Sequence, residues 1–316
     1  MSLRHKGIDF DSIKTYPIRE RENRVKKEEF GRVSKPRSSF DDFLDSLPGI
    51  LAAKDFRSLV GAILNARRNK KPVIFALGGH VIKCGLAPVL VDLMDRGVIT
   101  HLAMNGSASI HDFEIALIGE TSEDVAVSIK DGTFGMAEET GRLMNEAMRH
   151  GVRQGLGAGQ AIAQTILQGD FPYRDLSVQG KALEHGISTS VHIAIGTDII
   201  HQHPAADGAV LGEATFKDFQ LLCNVVSQMG GGGVFLNIGS AVIMPEIFLK
   251  AISIARNLGF GLKNFVTANF DMVAHYRPKE NVIVRPHVNG TRGISIIGHH
   301  EIMIPLLARA ITEQLD

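Results

Sequence analysis

The chain has 316 residues, of which 44% are hydrophobic and 22% are charged, values typical of a globular protein with a large buried core. Lys and Arg number 34, as do Asp and Glu, so the formal net charge is zero. This balance excludes a strongly basic nucleic-acid binder and an acidic tail, and the absence of Trp argues against a base-stacking surface. We therefore expect a small-molecule substrate and no nucleic acid.

The two cysteines, Cys84 and Cys223, provide neither a disulfide framework nor a CxxC zinc site. This usage indicates a reducing compartment and a cytoplasmic location. No apolar run approaches the roughly 18 residues of a transmembrane helix, and the first residues lack the apolar core of a secretory signal. We expect no membrane contact.

The sequence divides into two parts. Residues 1–39 contain the charged stretch Arg19–Lys27 and are predicted to form an arm, either a solvated leader or a segment that packs on a neighbouring subunit. Residues 40–316 are predicted to form a single α/β domain, because short β-branched runs alternate with longer helical periods. This alternation predicts a Rossmann-like parallel sheet with helices on both faces.

The predicted elements follow in chain order. The candidate strands are rich in β-branched residues and comprise Val73–Leu77, Ile99–Met104, Val125–Ile129, Val191–Ile195, Val234–Ile238, Phe265–Asn269, Val282–Val284 and Ile294–Ile297. The candidate helices have apolar residues at helical spacing and comprise Asp41–Ala53, Phe56–Arg68, Leu86–Arg96, Ile110–Ile118, Gly135–His150, Ala158–Gln168, Phe216–Gln228, Pro245–Asn257 and Glu301–Glu313.

Residue types at helix ends predict some boundaries. Ser109 followed by Asp112 has the spacing of a capping box, in which the Ser oxygen accepts a free backbone N–H. Pro245 suits the first turn of a helix, and Gly259 suits the left-handed position that ends it.

Glycines and small polar residues follow five of the predicted strands. In an open parallel sheet, ligands bind beyond the carboxyl ends of the strands. Five such turns at one edge predict a long crevice for a dinucleotide or a large polar metabolite, and tight βα turns are the alternative explanation. The residues assigned to cofactor binding are Gly78, Gly79, His80, Asn105, Gly106, Ser107, Asp198, Gly239 and Ser240.

Two glycine-rich stretches are not interpreted as phosphate loops. Gly155–Gly159 resembles a GxGxxG fingerprint, but a helical stretch precedes it where the fingerprint requires a strand, so a helix end followed by a helix start is predicted. Gly230–Gly233 lacks the Lys-Ser/Thr of a P-loop.

Titratable residues near the crevice suggest its chemistry. His111, with Asp112 and Glu114, lies at a helix N-terminus, where a histidine pKa tends to fall. Lys83 follows the first strand and is either a phosphate ligand or nucleophile, or a surface lysine at a helix start. A group of arginines is predicted to clamp a carboxylate or phosphate, or to form ion pairs between subunits, and consists of Arg277, Arg285 and Arg292.

Histidines supply two further hypotheses. His201 and His203, with Asp198 and Asp207 nearby, would suit a carboxylate-histidine metal site, although a polar loop near the crevice explains them better. The pair His299-His300 is expected to cap the last helix or to contact the crevice.

Several segments together resemble a known family. The stretch from VIFALGGHVIKCG to NGSASIHDFEIAL resembles the NAD-binding first half of deoxyhypusine synthase, and GGGGVFLNIGSAVIMPEIFLKAI and GISIIGHHEIMIPLLARAI are similar to its later units. The resemblance covers residues 70–120 and 205–315. The motifs GGHVIKCGLAPVL and NGSASIHDFE match the C-terminal domain of LOR/SDH-type, ornithine-cyclodeaminase-like proteins more closely.

The resemblance implies a Rossmann-like homotetramer with NAD bound between subunits. It implies that the turns at 78–80 and 105–107 face the cofactor, with His111 and Asp112 close to the substrate. The family forms an imine on the lysine of a Ser-Trp-Gly-Lys motif, whereas this chain has no Trp and carries Arg292 nearest that place. Arginine stays protonated and cannot form this imine, so deoxyhypusine synthesis is not expected.

The sequence therefore predicts a diverged deoxyhypusine-synthase-like protein that uses NAD to oxidise a C–N or C–O bond. Its substrate would be a small amine, amino acid or hydroxy acid, and its class a transferase, lyase or oxidoreductase. His111 would be the acid/base, Asp112 its orienting partner, and Arg292 or Arg285 a carboxylate anchor. The alternatives are a non-catalytic dinucleotide-sensing oligomer and a metal-dependent hydrolase that uses His201 and His203.

Overall fold

The sheet is parallel and buried on both faces. A computed structural model describes residues 7–287 and 291–315. Within this part of the chain, six strands pair in the order β3-β2-β1-β4-β5-β6. They are β1 (Val73–Leu77), β2 (His101–Asn105), β3 (Ser188–His192), β4 (Val234–Ile238), β5 (Val266–Asp271) and β6 (Arg292–Ile297). The predicted Rossmann-like α/β fold is confirmed, because this order is typical of dinucleotide-binding sheets.

Helices cover both faces of the sheet. They are α1 (Phe40–Ser46), α2 (Leu51–Arg68), α3 (Gly79–Lys83), α4 (Ala87–Asp95), α5 (Gly106–Ile118), α6 (Val125–Ser128), α7 (Glu138–Arg153), α8 (Ala158–Gln168), α9 (Val178–Glu184), α10 (Gly208–Ser227), α11 (Ile243–Asn257), α12 (Tyr276–Pro278) and α13 (His300–Thr312), with a π-helix at Lys279–Val284. No helix in the described residues is long and apolar enough to cross a membrane.

Successive side chains of β1 point alternately into two apolar cores. Phe75 belongs to the larger core, which also contains Leu59 of α2, whereas Ile74 packs in the second core against α10 and α11. In the second core, the rings of Phe235 and Phe248 stack with centroids 3.6 Å apart. Burial on both faces explains why β1 is apolar throughout and why β4 is apolar apart from Asn237, whose amide nitrogen donates to Asn269 and to the Ser240 carbonyl.

Central elements were predicted best. The structure confirms Val73–Leu77, Val234–Ile238 and Ala158–Gln168 residue for residue. The edge strand β3 begins three residues before the predicted Val191, because its first residues are Ser and Thr, which give a weak hydrophobic signal.

Two predicted strands are wrong. Val125–Ile129 forms the short helix α6, since the side chain of Asp124 accepts the free N–H groups of Ala126 and Val127. Val282–Val284 lies in the π-helix on the connection between β5 and β6. In both segments the β-branched residues suggested a strand, but local capping or the crossover path decided the conformation.

The predicted cap of α5 is also wrong. Asn105, the last residue of β2, caps this helix by accepting the N–H of Ala108, so α5 begins directly at the end of the strand. Ser109 lies inside the helix and is buried. By contrast, Gly259 has a φ of +85° after α11, as expected.

The glycines at 155–159 join two helices, as predicted. Helix α7 ends at Arg153, Gly155 has a φ of +80°, and Gly157 precedes the first residue of α8. This stretch therefore follows a helix and does not form a dinucleotide fingerprint.

The segment 7–39 contains short 3-10 turns and is largely exposed to solvent. It contacts the start of the domain through backbone bonds from Arg32 N to Ser46 O and from Gly49 N to Glu29 O. The division into an arm at 1–39 and a domain at 40–316 stays a prediction.

Candidate active site at the carboxyl edge of the sheet

The turns after β1, β2 and β4 touch one another at glycines. A Cβ atom on Gly78 would lie 2.0 Å from the carbonyl oxygen of Gly239, so these two turns meet backbone to backbone. A Cβ atom on Gly79 would lie 2.2 Å from Ser107 Oγ and 3.1 Å from His111 Cδ2. The contact at Gly78 is with backbone and requires glycine, whereas the contact at Gly79 is with a serine hydroxyl that can rotate. Together they bring the three turns to one edge of the sheet.

The turn after β3 reaches the same edge through Asp198. The Asp198 carboxyl group packs on Gly106, the first residue of α5. Its Oδ2 atom is buried and has no hydrogen-bond partner among the described residues. Burial raises the pKa of Asp198 to about 6, so its charge changes close to neutral pH.

Two histidines lie at the carboxyl ends of β1 and β4, the pair of strands at which the strand order reverses. His300 of α13 is buried, and its Nε2 atom would lie 2.8 Å from a Cβ atom on Gly239, which has a φ of +69°. The Nδ1 atom of His300 has no partner within the described residues, and the exposed His80 ring lies 5.8 Å from the His300 ring. His300 thus contacts the turn after β4, whereas among the described residues His299 makes no side-chain capping bond to α13, and a ligand contact of His300 stays a prediction. The buried Ser240 hydroxyl accepts the N–H of Met244 near the start of α11.

A cavity of about 900 Å³ opens beside these turns. Its walls come from α5, the turn after β3, and the segment 119–140, which holds α6 and runs into α7. Gly135 of this segment packs closely on Ile199 of the turn after β3, where a Cβ atom would lie 2.7 Å from the Ile199 side chain. Its N–H donates to Glu123 within the segment. The charged residues that line the cavity are Lys83, Glu114, Glu120, Glu123, Glu139 and Asp198.

The wall charge is therefore strongly acidic, with five carboxyl groups against one ammonium group in the described lining. A surface of this sign attracts cations and repels free carboxylates and phosphates. Sequence reasoning missed Glu120, Glu123 and Glu139, because they lie in a segment that no motif covers.

His111 lies in the cavity wall within a chain of hydrogen bonds. Its Nδ1 atom is 2.7 Å from Thr121 Oγ1, and the Thr121 hydroxyl donates to Glu114 Oε2 at 2.5 Å. The other Glu114 oxygen accepts a hydrogen bond from Thr140 at 3.1 Å. Burial, with a smaller contribution from the charge of Lys83, lowers the pKa of His111 to about 4, so the imidazole is neutral at pH 7.

Asp112 does not orient His111, and the predicted pairing is not present. The Asp112 carboxylate is fully buried and accepts hydrogen bonds from Ser177 Oγ and Val178 N, both at 2.6 Å, and from Gln179 N at 3.1 Å. These groups lie at the N-terminus of α9, so Asp112 caps that helix. Consecutive residues of a helix point in different directions, and this places Asp112 away from its neighbour.

The arginines predicted as anchors lie away from the cavity. Arg292 is the first residue of β6, at the amino edge of the sheet, where it bonds to Ser58 and Asp55 of α2. Arg285 bonds to Asn281 and lies near Glu280. Neither residue lines the cavity with His111, and Arg292 is at the opposite edge because all the strands run parallel.

The two metal-ligand candidates have separate partners. His201 Nδ1 accepts backbone N–H groups from Gly196 and Asp198, whereas His203 Nε2 is 3.0 Å from Glu138. Among the described residues, no three His, Cys, Asp or Glu side chains are arranged to hold a metal ion. The metal-dependent hydrolase therefore has no ligand set in this part of the chain.

Comparison with known proteins supports the fold. No protein-family model and no curated protein matches the chain. Among solved structures, AgrE in complex with ornithine and NAD⁺ has a TM-score of 0.51 and 12% identity, covering 82% of this chain and 32% of AgrE. A LOR/SDH protein from Methanococcus maripaludis S2 has a TM-score of 0.51 and 13% identity, covering 84% of this chain and 70% of that protein.

A protein described as a deoxyhypusine synthase, from Entamoeba histolytica, has a TM-score of 0.50 and 10% identity, covering 90% of this chain and 97% of its own length. The chain thus shares its fold with both groups that its motifs resemble. It spans about a third of the length of AgrE.

Proposed function

We propose that this chain is an NAD-binding enzyme that oxidises a C–N or C–O bond of a small molecule held in the acidic cavity. The observation that carries the proposal is the presence, in one cavity, of five carboxyl groups and a histidine that burial keeps neutral. Carboxylates attract an ammonium group, and a neutral imidazole can accept a proton. The charge of the wall favours amines and amino acids over hydroxy acids.

The residues at the carboxyl edge are compatible with NAD. The strand order reverses between β1 and β4, and a crevice at this point is where such sheets bind dinucleotides. The acidic cavity that would hold the substrate adjoins this edge, since Ser107 of the turn after β2 lies in its wall. The AgrE structure, which contains NAD⁺ and ornithine, supports the same assignment.

The residues that would hold the dinucleotide are those of the first two turns, with His80 and Ser107 as the side chains that the fold leaves accessible. Gly78 and Gly79 let these turns pack closely, because neighbouring turns occupy the space that a Cβ atom on either residue would need. A bound NAD would supply the hydride acceptor for the oxidation.

His111 would accept the proton that leaves the N–H or O–H group of the substrate. The burial of the ring and, to a smaller extent, the positive charge of Lys83 disfavour the imidazolium, so the imidazole is unprotonated before the substrate binds. The acidic residues of the 119–140 segment would hold the ammonium group and help to exclude water. The homotetramer implied by the sequence resemblance remains part of this proposal.

The test is NADH production by the full-length protein. Purified protein is incubated with NAD⁺ and a panel of amines, amino acids and hydroxy acids, and NADH absorbance is followed. Turnover confined to members that carry an ammonium group is the expected result. Saturable NAD⁺ binding with no turnover on the whole panel would instead indicate the sensing oligomer.

A further inference from the structure

We infer that Thr121 is a positioning residue for His111, and that the carboxylate behind it is Glu114. The inference rests on the proposed role of His111 as the base. It concerns a property of the free protein, the position of the proton on the imidazole ring, so it can be tested without a substrate.

The direction of the hydrogen bonds fixes this proton. A hydroxyl group has one hydrogen, and the Thr121 hydroxyl donates it to Glu114 Oε2. Towards His111, Thr121 Oγ1 can therefore act only as a hydrogen-bond acceptor. His111 Nδ1, at 2.7 Å from that oxygen, must carry the proton, and Nε2 is left with its lone pair.

Nε2 is the atom that can act as the base. It makes no hydrogen bond to any residue that the structure describes, and the ring forms part of the cavity wall. If the proton were on Nε2, this nitrogen could not accept a proton from a substrate. The orientation of the Thr121 hydroxyl therefore decides whether His111 is active as a base.

Glu114 cannot perform this task without Thr121. Its Oε2 atom is 4.0 Å from His111 Nδ1, beyond hydrogen-bond distance, and Thr121 Oγ1 fills the gap. Thr140, which is buried, donates to the other oxygen of Glu114 and holds the carboxylate in place. Once the imidazole takes up a proton, this nearby carboxylate stabilises the positive charge.

The hydrogen-bonded chain joins the base to the segment over the cavity. His111 and Glu114 lie one turn apart on α5, whereas Thr121 belongs to the 119–140 segment and Thr140 to the start of α7. The base is thus oriented by the same segment that encloses the substrate, so the tautomer of His111 reports whether that segment is in place.

The experiment compares ¹⁵N imidazole signals of full-length wild type, Thr121→Ser, Thr121→Val and a control, Thr165→Val, at neutral pH. Thr165 bonds within α8, outside the chain of hydrogen bonds. We expect Nδ1–H in wild type, Thr121→Ser and the control, and a substantial Nε2–H population in Thr121→Val. A Thr121→Val protein that is folded and retains the wild-type tautomer would overturn the inference.

A second variant tests the carboxylate. Glu114→Ala frees the Thr121 hydroxyl to donate towards Nδ1, so the Nε2–H population should rise there too; an unchanged tautomer would contradict the role of Glu114. With an active substrate, Thr121→Val should lower kcat on the order of 10- to 100-fold while KM changes little, and Thr121→Ser should restore it. If no substrate on the panel turns over, the proposed function fails, whereas the tautomer still decides this inference.

Discussion

The carboxyl group of Asp198 occupies the space that a side chain on Gly106 would need: a Cβ atom at Gly106 would lie 1.9 Å from Asp198 Oδ2. This contact joins the turn after β3 to the first residue of α5. Asp198 also forms part of the wall of the cavity that contains His111.

The contact predicts a specific pair of stability effects. Gly106→Ala should lower the free energy of unfolding by about 1–3 kcal/mol, because the added methyl group displaces the Asp198 carboxyl group. Gly106→Ala combined with Asp198→Ala should recover most of this loss, since the obstacle is gone. Denaturant unfolding of the wild type, Gly106→Ala, Asp198→Ala and the double variant measures the coupling between the two residues. Simple additivity of the two changes in unfolding free energy would show that the contact is absent.

His111→Ala should abolish most turnover without unfolding the protein. Removing a general base typically costs about 10²- to 10⁴-fold in rate, and the fold should persist because the ring lies in the cavity wall and in neither apolar core. The measurement is NADH production together with thermal unfolding. His150→Ala, an exposed histidine of α7, is the matched control, and equal activity in both variants would remove His111 from the mechanism.

Glu139→Gln should weaken binding of an ammonium-bearing substrate. The exposed Glu139 side chain lies at the cavity wall, so the loss of its charge should raise KM a few-fold and leave kcat nearly unchanged. The effect should shrink at high salt, because exposed charges are screened. Glu146→Gln, on the same helix but outside the cavity, should leave KM unchanged, and an equal rise in both variants would contradict an acidic substrate site.

The free energy of unfolding should fall in acid because His101 is buried in its neutral form. His101 is fully buried between Ser188 and Ser190, and burial lowers its pKa from 6.5 to about 3. Between these two values the unfolded chain binds a proton that the folded chain excludes, so stability is complete above pH 6.5 and declines as the pH falls.

His101→Gln should reduce the slope of stability against pH by up to about 1.4 kcal/mol per pH unit in this window. Urea unfolding at a series of pH values measures it. Burial raises the pKa of Asp112 to about 6, so this group contributes to the slope with the opposite sign. Its contribution is the same in wild type and variant. Identical slopes for the two proteins would show that His101 is protonated in the folded state.

The centre of the fold could be predicted from the sequence because its strands are buried on both faces. Val73–Leu77 is apolar throughout and Val234–Ile238 is apolar apart from Asn237, and such runs mark central parallel strands. At the periphery the signal fails: the β-branched residues of Val125–Ile129 are exposed on a helix that Asp124 caps.

The site could be predicted in part. His111 lies in the cavity wall, consistent with its position after a strand, and its role as a base stays a prediction. The partner of its ring is not the adjacent Asp112. Residues three apart on a helix share a face, and this spacing would have favoured Glu114. Thr121 and Thr140 come from a segment with no recognisable motif, so tertiary packing alone brings them to His111.

The most direct test of NAD binding is a calorimetric titration of the full-length protein with NAD⁺, using variants that place a carboxylate in the first turn or far from it. His80→Glu introduces a negative charge in the turn after β1, whereas His150→Glu introduces the same charge at an exposed position of α7. We expect saturable NAD⁺ binding by the wild type and by His150→Glu, and binding weaker by at least about tenfold, or about 1.4 kcal/mol, in His80→Glu, because the added carboxylate repels the pyrophosphate. No binding by the wild type, or equal binding by the two variants, would contradict NAD binding at these turns.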